Sequence, residues 1–407
     1  MLKTHKLQLK AFISKWEEKK FKSFNLLLNT VILSHGLNHV LQLVLPTLLP
    51  TLILEFEISN YTAGLLIACF LLPYSLLQIP FGYLSDRKGR KKILVIGIFL
   101  YSLGTLLCGL SQNIMQLGVY QFIAGVGGAS YHPIGIPLAS LAVEKGRRGQ
   151  AMGFHQTGGA IGAFIAPLVS ASIAIFLGWR YSFMFLSIFG FVLGLFIWTR
   201  MNESTLMDKQ NERISNLRSI FKNQKVVKLT ILLFTFGLLH VISYRALMPF
   251  LTTYAIVKHA LNLESAAQLL SLLQIMGIIG SPLFGRLSDG IGRKPTLYII
   301  LMSQALVMYL ITYSSIGILV ILLGVMGLIA FGCLAVTDTW ITEMNFPQIM
   351  GTLVGVAVSA SFFIGAIITP IVGFLADKID FDYAFRIIAI LTLAGIPILK
   401  IISDKDS

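Results

Sequence analysis

The sequence predicts an all-α membrane protein with twelve transmembrane helices in two pseudo-symmetric six-helix halves. Three observations carry this prediction: the composition, the spacing of the apolar runs, and a repeat at half the chain length. Of 407 residues, 56% are hydrophobic and only 12% are charged, about half the roughly 25% of an ordinary soluble chain. With a mean hydropathy of +0.80, too little polar surface remains to cover a water-soluble body. The net charge of +14 does not point to nucleic acid. The basic residues stand in short clusters between long uncharged runs, the pattern that encodes membrane topology, and no segment is long enough to fold into a basic-faced domain.

Twelve apolar runs lie near the ~20 residues that cross a bilayer as a helix. They cover about 25–48, 62–84, 93–112, 115–142, 150–176 and 181–199, then 229–254, 266–287, 296–314, 317–342, 351–376 and 381–399. Backbone groups in lipid need internal partners, so spans are helices or closed-barrel strands; continuous runs without alternation favour helices. The connections on one side hold 26 Lys and Arg, while the other side holds only Arg180, Lys258 and Lys378. That bias places both termini and the middle loop in the cytoplasm. Cys69, Cys108 and Cys333 all fall in apolar runs, an odd set with neither disulfide nor zinc spacing, and are expected to pack.

Residues 1–23 lack the short apolar core and small-residue cleavage site of a signal peptide. Leu9, Phe12, Ile13 and Trp16 share one helical face, ringed by Lys10, Lys15, Lys19 and Lys20. The segment reads either as an interfacial amphipathic helix on an anionic leaflet or as a disordered basic tail. Four units follow: this basic segment at 1–23, an N-terminal half at 24–199, a cytoplasmic linker at 200–228, and a C-terminal half at 229–407.

The linker divides the chain almost equally, and a repeat at an offset of 203 residues relates the two sides. Phe81-Gly82-Tyr83-Leu84-Ser85-Asp86 aligns with Phe284-Gly285-Arg286-Leu287-Ser288-Asp289, and Gly89-Arg90-Lys91 with Gly292-Arg293-Lys294. In the same register Gly162-Ala163, Ile165 and Pro167 meet Gly365-Ala366, Ile368 and Pro370, and Pro46 meets Pro249. Both halves therefore have the same orientation.

The repeated Gly-x-Leu-Ser-Asp-x-x-Gly-Arg-Lys falls at the turns between spans 2 and 3 and spans 8 and 9. Gly82 and Gly285 suit close helix approach, and Gly89 and Gly292 suit a tight turn. An acid among cytoplasmic basic residues needs a particular partner, and a helix start with free N–H groups is one. Span 11 is the expected partner for Asp86, and span 5 for Asp289. At these residues the sequence resembles the major facilitator superfamily (MFS), over the whole chain. The resemblance implies the MFS fold, alternating access about a midplane site, a functional monomer, and cytoplasmic latches formed by Asp86 with Arg90 and Asp289 with Arg293. It says little about substrate. Drug–proton antiporters of the family carry an Arg in span 4 where this chain has Gln121, and their span-5 motif is half present as Gly158, Gly162 and Ala166-Pro167. Gly158, Gly162 and Pro167, like Gly365 and Pro370, are read as packing and bending positions.

Ionisable groups inside a bilayer are functional candidates because each is costly there. Span 1 carries His35, Asn38 and His39 on one face; span 4 carries His132 before Pro133; span 5 carries His155-Gln156. Span 7 carries His240 and Arg245, and span 10 carries Asp338. The family resemblance places spans 1, 4, 7 and 10 around the cavity. Each histidine is alternatively a helix–helix hydrogen-bonder. Imidazole titrates near neutral pH, so the histidines are candidates for coupling protons. A metal at His35 and His39 is not expected, because no carboxylate lies nearby in sequence. Arg245 offers a bidentate fork to carboxylate or phosphate; a structural ion pair to Asp338 is disfavoured by depth, since the two should be more than ~10 Å apart at ~1.5 Å per residue.

The expected function is secondary transport of a small solute, proton-coupled, for a small organic anion or amphipathic metabolite, from the plasma membrane. Drug or toxic-compound efflux by proton antiport is the alternative, and a transporter-like sensor a remote one. No catalytic constellation and no phosphate-binding Gly-x-x-x-x-Gly-Lys loop appears, so neither enzyme activity, cofactor nor ATP drive is expected.

Overall fold

A computed structural model describes residues 2–143, 148–201, 224–343 and 350–401; the side chains of residues 2–25, 86, 148–149, 225–226, 229, 341–343, 350–355 and 357 lie outside the description. The amphipathic face expected near Trp16, the partner of Asp86, and most of the 200–228 linker therefore lie outside the described residues.

Eleven helices among the described residues are long and apolar enough to cross a bilayer, from Leu26–Glu55 to Phe381–Ile401. The twelfth, span 4, is present in two pieces, Ile114–Gly128 and Tyr131–Leu141, each too short to cross alone. Its break at Ala129 and Ser130 has a local cause: Pro133 has no N–H to return to the carbonyl four residues back, and Ser130 Oγ turns back onto Gly127 O at 2.9 Å. Span 7 breaks similarly between Leu239 and Ile242. The described residues are thus nearly all helical, and the chain is a multi-pass membrane protein.

Two boundaries differ from the sequence expectation. Span 1 runs on to Glu55 through Pro46 and Pro50, because a proline removes one helical hydrogen bond without ending a helix whose neighbours supply another. Pro50 leaves Pro46 O without its usual donor, and Thr252 Oγ1 of span 7 supplies one at 2.7 Å. At the other end no break separates span 1 from the basic segment; one helix runs Leu2–Glu55.

The two signature turns are alike in backbone as in sequence. Gly89 and Gly292 have φ of 97° and 96° with ψ of 131° and 156°, extended backbone on the positive-φ side that is essentially confined to glycine and costs another residue about 1–3 kcal/mol. In the second turn Arg293 Nη1 donates to Asp289 Oδ1 at 2.5 Å and to Ser288 Oγ at 2.5 Å. Asp289 thus pairs with Arg293 within its own turn; residues 144–147, at the start of span 5 where the sequence also expects a partner, lie outside the described residues.

The halves meet through spans 2 and 11, 5 and 8, and 1 and 7. Small residues set the distance: a Cβ on Gly64 would lie 2.6 Å from Thr369 O, and one on Gly373 would lie 2.1 Å from Asn60 O. The polar bonds that cross between halves include Thr252 to Pro46, Ser271 Oγ to Phe164 O at 2.9 Å, and Asp377 to the first N–H groups of span 2. All lie from mid-depth toward the end carrying Glu55 and Asp377. At the end with the signature turns, the same helix pairs barely touch among the described residues. Among the described residues the two halves are joined at the Asp377 end and parted at the signature end.

Each half is braced separately at the closed end. Glu55 accepts from Arg180 Nη1 at 2.6 Å and from Trp179 Nε1 at 2.5 Å. Asp382 accepts from Lys258 Nζ at 2.7 Å and Tyr254 OH at 2.9 Å. Two of the three basic residues on this side are therefore paired within their own half.

Candidate functional site

Four of the histidines singled out in the sequence converge. His35 and His39 stand one turn apart on span 1 and touch through Nε2 atoms 3.2 Å apart. His155 of span 5 stacks flat on His35, ring centroids 4.0 Å apart and planes within 12°. His132 of span 4 meets His35 edge-on at 5.4 Å. His35 and His155 are buried, while His39 and His132 are half-buried.

Hydrogen bonds fix the tautomers. His35 Nδ1 lies 2.8 Å from His155 O, so it carries the proton and leaves Nε2 as a bare lone pair facing His39. Tyr131 OH donates to Val31 O at 2.8 Å and meets His155 Nε2 at 3.0 Å. The hydroxyl's one proton is committed to Val31, so His155 Nε2 carries the hydrogen, and His155 Nδ1 stays buried without a partner.

Asn38 shares the span-1 face but works as a brace. Its Oδ1 accepts from Tyr74 OH at 2.9 Å, its Nδ2 reaches Gly128 O at 3.4 Å, and its carbonyl accepts from Tyr101 OH at 3.2 Å. It ties spans 1, 2, 3 and 4 together beneath the imidazoles.

Arg245 approaches from the other half. It is 7% exposed, its Nη2 donates to Ser361 Oγ at 3.0 Å, and its guanidinium carbon lies 3.9 Å from the centre of the Phe362 ring. Its Nε has no partner, and among the described residues no carboxylate forms an ion pair with it. Gly365, one turn past Ser361, leaves room: a Cβ there would lie 3.5 Å from Arg245 Cδ. Phe362 links the groups, since its other ring neighbours are Tyr74 at 4.7 Å and His132 at 6.0 Å.

The remaining candidates stand apart. His240 Nδ1 bonds its own helix at Phe236 O, 3.0 Å away, and its ring stacks on Phe236, so it serves the break in span 7. Asp338 is half-buried in span 10 and forms no ion pair with Arg245 among the described residues. Gln156 is exposed and outside the ring contacts. Gly158 and Gly162 seat span 5 against span 1, where a Cβ on Gly162 would lie 2.1 Å from Gly36 O. Gly82 faces Pro133, whereas Gly285 has open space.

Tyr74, Tyr131, Ser361, Phe362 and Asp377 were not singled out by the sequence. Tyr131 stands beside His132, which was a usable signal; the others look like ordinary span residues. At the 203-residue offset Arg245 corresponds to Gln42, whereas His35, His39, His132 and His155 correspond to Leu238, Ile242, Ala335 and Val358. The repeat thus brings imidazoles from one half toward a guanidinium from the other, with Phe362 between His132 and Arg245.

A family profile described as Major Facilitator Superfamily matches residues 31–369 and 278–406. The chain belongs to the major facilitator superfamily. Relatives include an uncharacterized MFS-type transporter of Bacillus subtilis, 25% identical over 87% of each chain. The fosmidomycin resistance protein of Escherichia coli is 25% identical over 91% of each. The multidrug resistance protein MdtG of Klebsiella pneumoniae is 28% identical over 84% of this chain and 82% of its own. Among solved structures, a bacterial homologue of the human lysosomal transporter Spinster, inward-facing and occupied, superposes with a TM-score of 0.77 at 16% identity, over 93% of this chain and 96% of that one. The MFS chain is accordingly a transmembrane secondary transporter that sits in a lipid bilayer and binds a small-molecule substrate.

Proposed function

We propose that this MFS transporter moves a small organic anion across the plasma membrane, coupled to protons, as a monomer with both termini in the cytoplasm. Arg245 carries the reading. A permanently charged fork buried with no carboxylate partner among the described residues is expensive, and an anionic substrate supplies the counter-charge. The imidazole cluster is where the coupling proton sits, between two nitrogens that face one another at 3.2 Å. With the Lys and Arg bias placing the signature turns in the cytoplasm, the parted end faces inward and the Asp377 end is the closed outer gate.

Efflux of drug-like compounds is the second reading. The names of the Klebsiella and Escherichia relatives favour it, as does the aromatic wall of Tyr74, Tyr244 and Phe362 around Arg245.

A thermal-shift screen on detergent-purified protein separates them, since a ligand of the folded state stabilises it by RT ln(1 + [L]/Kd). Small carboxylates or phosphates are expected to raise the melting temperature of the wild type but not of Arg245→Ala. Equal stabilisation of both proteins by lipophilic cations, with no response to anions, sinks the anion reading and establishes the second.

A further inference from the structure

We infer that His35, His39 and His132 form a binding site for a divalent transition-metal ion of the zinc class. One ring nitrogen from each of these three side chains lies within 4.8 Å of the other two. Nitrogen ligands at ~2.0–2.1 Å from a tetrahedral zinc ion stand roughly 3.3–3.4 Å apart, and the His35–His39 pair is already at 3.2 Å. His132, half-buried and edge-on to His35 with ring centroids 5.4 Å apart, has to move closer to share a common ion with the other two.

Two further observations distinguish the cluster from a packing of aromatic rings. His35 donates its other nitrogen to a backbone carbonyl, His155 O at 2.8 Å, the outer bond that metal-ligating histidines use to fix tautomer and ring orientation. That bond leaves Nε2 of His35 unprotonated, as a ligand must be. Gln42, one turn beyond His39, reaches the His39 ring with its side chain, where its amide oxygen can hold His39 in the same way. The flat stack of His155 on His35 at 4.0 Å keeps the first ligand from turning.

Imidazole nitrogens suit zinc, cobalt, nickel and copper ions, whereas magnesium and calcium take oxygen ligands. Three protein ligands leave a fourth position open. Because the three ligands are neutral and Arg245 acts on both His39 and His132 from across the cavity, that position takes water or an anion. The inference uses the same nitrogens that the coupling proposal gives to a proton, so metal and proton compete for them. It does not require anion transport, and its test reads metal alone.

The experiment is titration of tag-free, detergent-purified full-length protein with cobalt(II), read by visible absorption, and with zinc(II), read by elemental analysis after dialysis. One ion per chain and the intense band of four-coordinate cobalt are expected. His35→Gln, His39→Gln and His132→Gln should each lose the band, while His259→Gln, far from the cluster, should keep it. Gln42→Leu should weaken binding by ~10–100-fold, the usual cost of removing an outer-shell partner. Size-exclusion profiles identify any variant that fails to fold, and the wild-type titration decides the matter without them. Absence of the band and of retained zinc in the wild type overturns the inference and leaves the gap to a proton. Retention of the ion by all three ligand variants also overturns it, as an adventitious surface site.

Discussion

The carboxylate of Asp377, in the last turn of span 11, caps the first turn of span 2 at Asn60. Its Oδ1 accepts from the Asn60 backbone N–H at 2.9 Å and from Asn60 Nδ2 at 2.8 Å, and its Oδ2 accepts from the Tyr61 N–H at 2.8 Å. A helix start offers unpaired N–H groups and the positive end of the dipole, so an acid from the opposite half makes a latch that exists only while this end is closed. The sequence reading placed the same kind of bond at the other end, from Asp86.

Asp377→Asn keeps one acceptor and removes the charge. The charge–dipole contribution is about 0.3–1 kcal/mol at an exposed helix end, so the closed-to-open ratio should fall by roughly twofold to fivefold. Pulsed electron resonance between labels at the ends of spans 2 and 11 reads that shift. An unchanged distance distribution would mean that glycine packing at Gly64 and Gly373 alone holds the gate.

The turn glycines give a prediction with opposite signs at neighbouring positions. Gly292→Ala should destabilise by about 1–3 kcal/mol, because its φ of 96° and ψ of 156° belong to a region essentially confined to glycine. Gly290→Ala lies inside a helix with nothing within 4 Å and should stabilise by up to ~1 kcal/mol. Thermal unfolding in detergent checks both. Equal shifts would show that the turn's backbone conformation is not what the glycine is kept for.

Span number, half-repeat and signature turns were legible because each rests on local physics: helix length against bilayer thickness, Lys and Arg placement, and glycine at a turn. The convergence of His35, His39, His132 and His155 was only partly legible. Helical periodicity put His35 and His39 on one face, but the arrival of His155 from span 5 depends on the Gly36–Gly162 contact, a pairing no single-chain pattern encodes. Asn38 looked like a cavity residue for the same periodic reason and is a brace, because Tyr74 on span 2 points at it. Asp377 was hidden as one more acid near a helix end.

Tyr131→Phe tests a residue that the sequence left out. Its hydroxyl joins Val31 O to His155 Nε2, and its loss leaves a buried imidazole N–H unsatisfied at a cost of about 1–3 kcal/mol. The melting temperature should fall, and the pH profile of transport in vesicles should shift as the His155 stack on His35 loosens. A lower melting temperature with an unchanged pH profile would make Tyr131 a packing residue only.

Gly365 supplies the last and most specific test, because it adjusts Arg245 without touching its charge. A Cβ at this position lies 2.9 Å from the flexible end of Leu71 and 3.5 Å from Arg245 Cδ. Alanine asks only that Leu71 give way, so Gly365→Ala should bind anions nearly as the wild type does. Valine adds two methyl groups where the arginine stem runs, and overpacking of this kind costs about 1–3 kcal/mol. Anion affinity of Gly365→Val should therefore drop by roughly 5–150-fold in the thermal-shift titration, while Gly324→Val, with open space around it, should leave affinity as it was. If Gly365→Val binds anions like the wild type, the guanidinium's position against Phe362 and Ser361 does not set recognition, and the anion must be held elsewhere in the cavity.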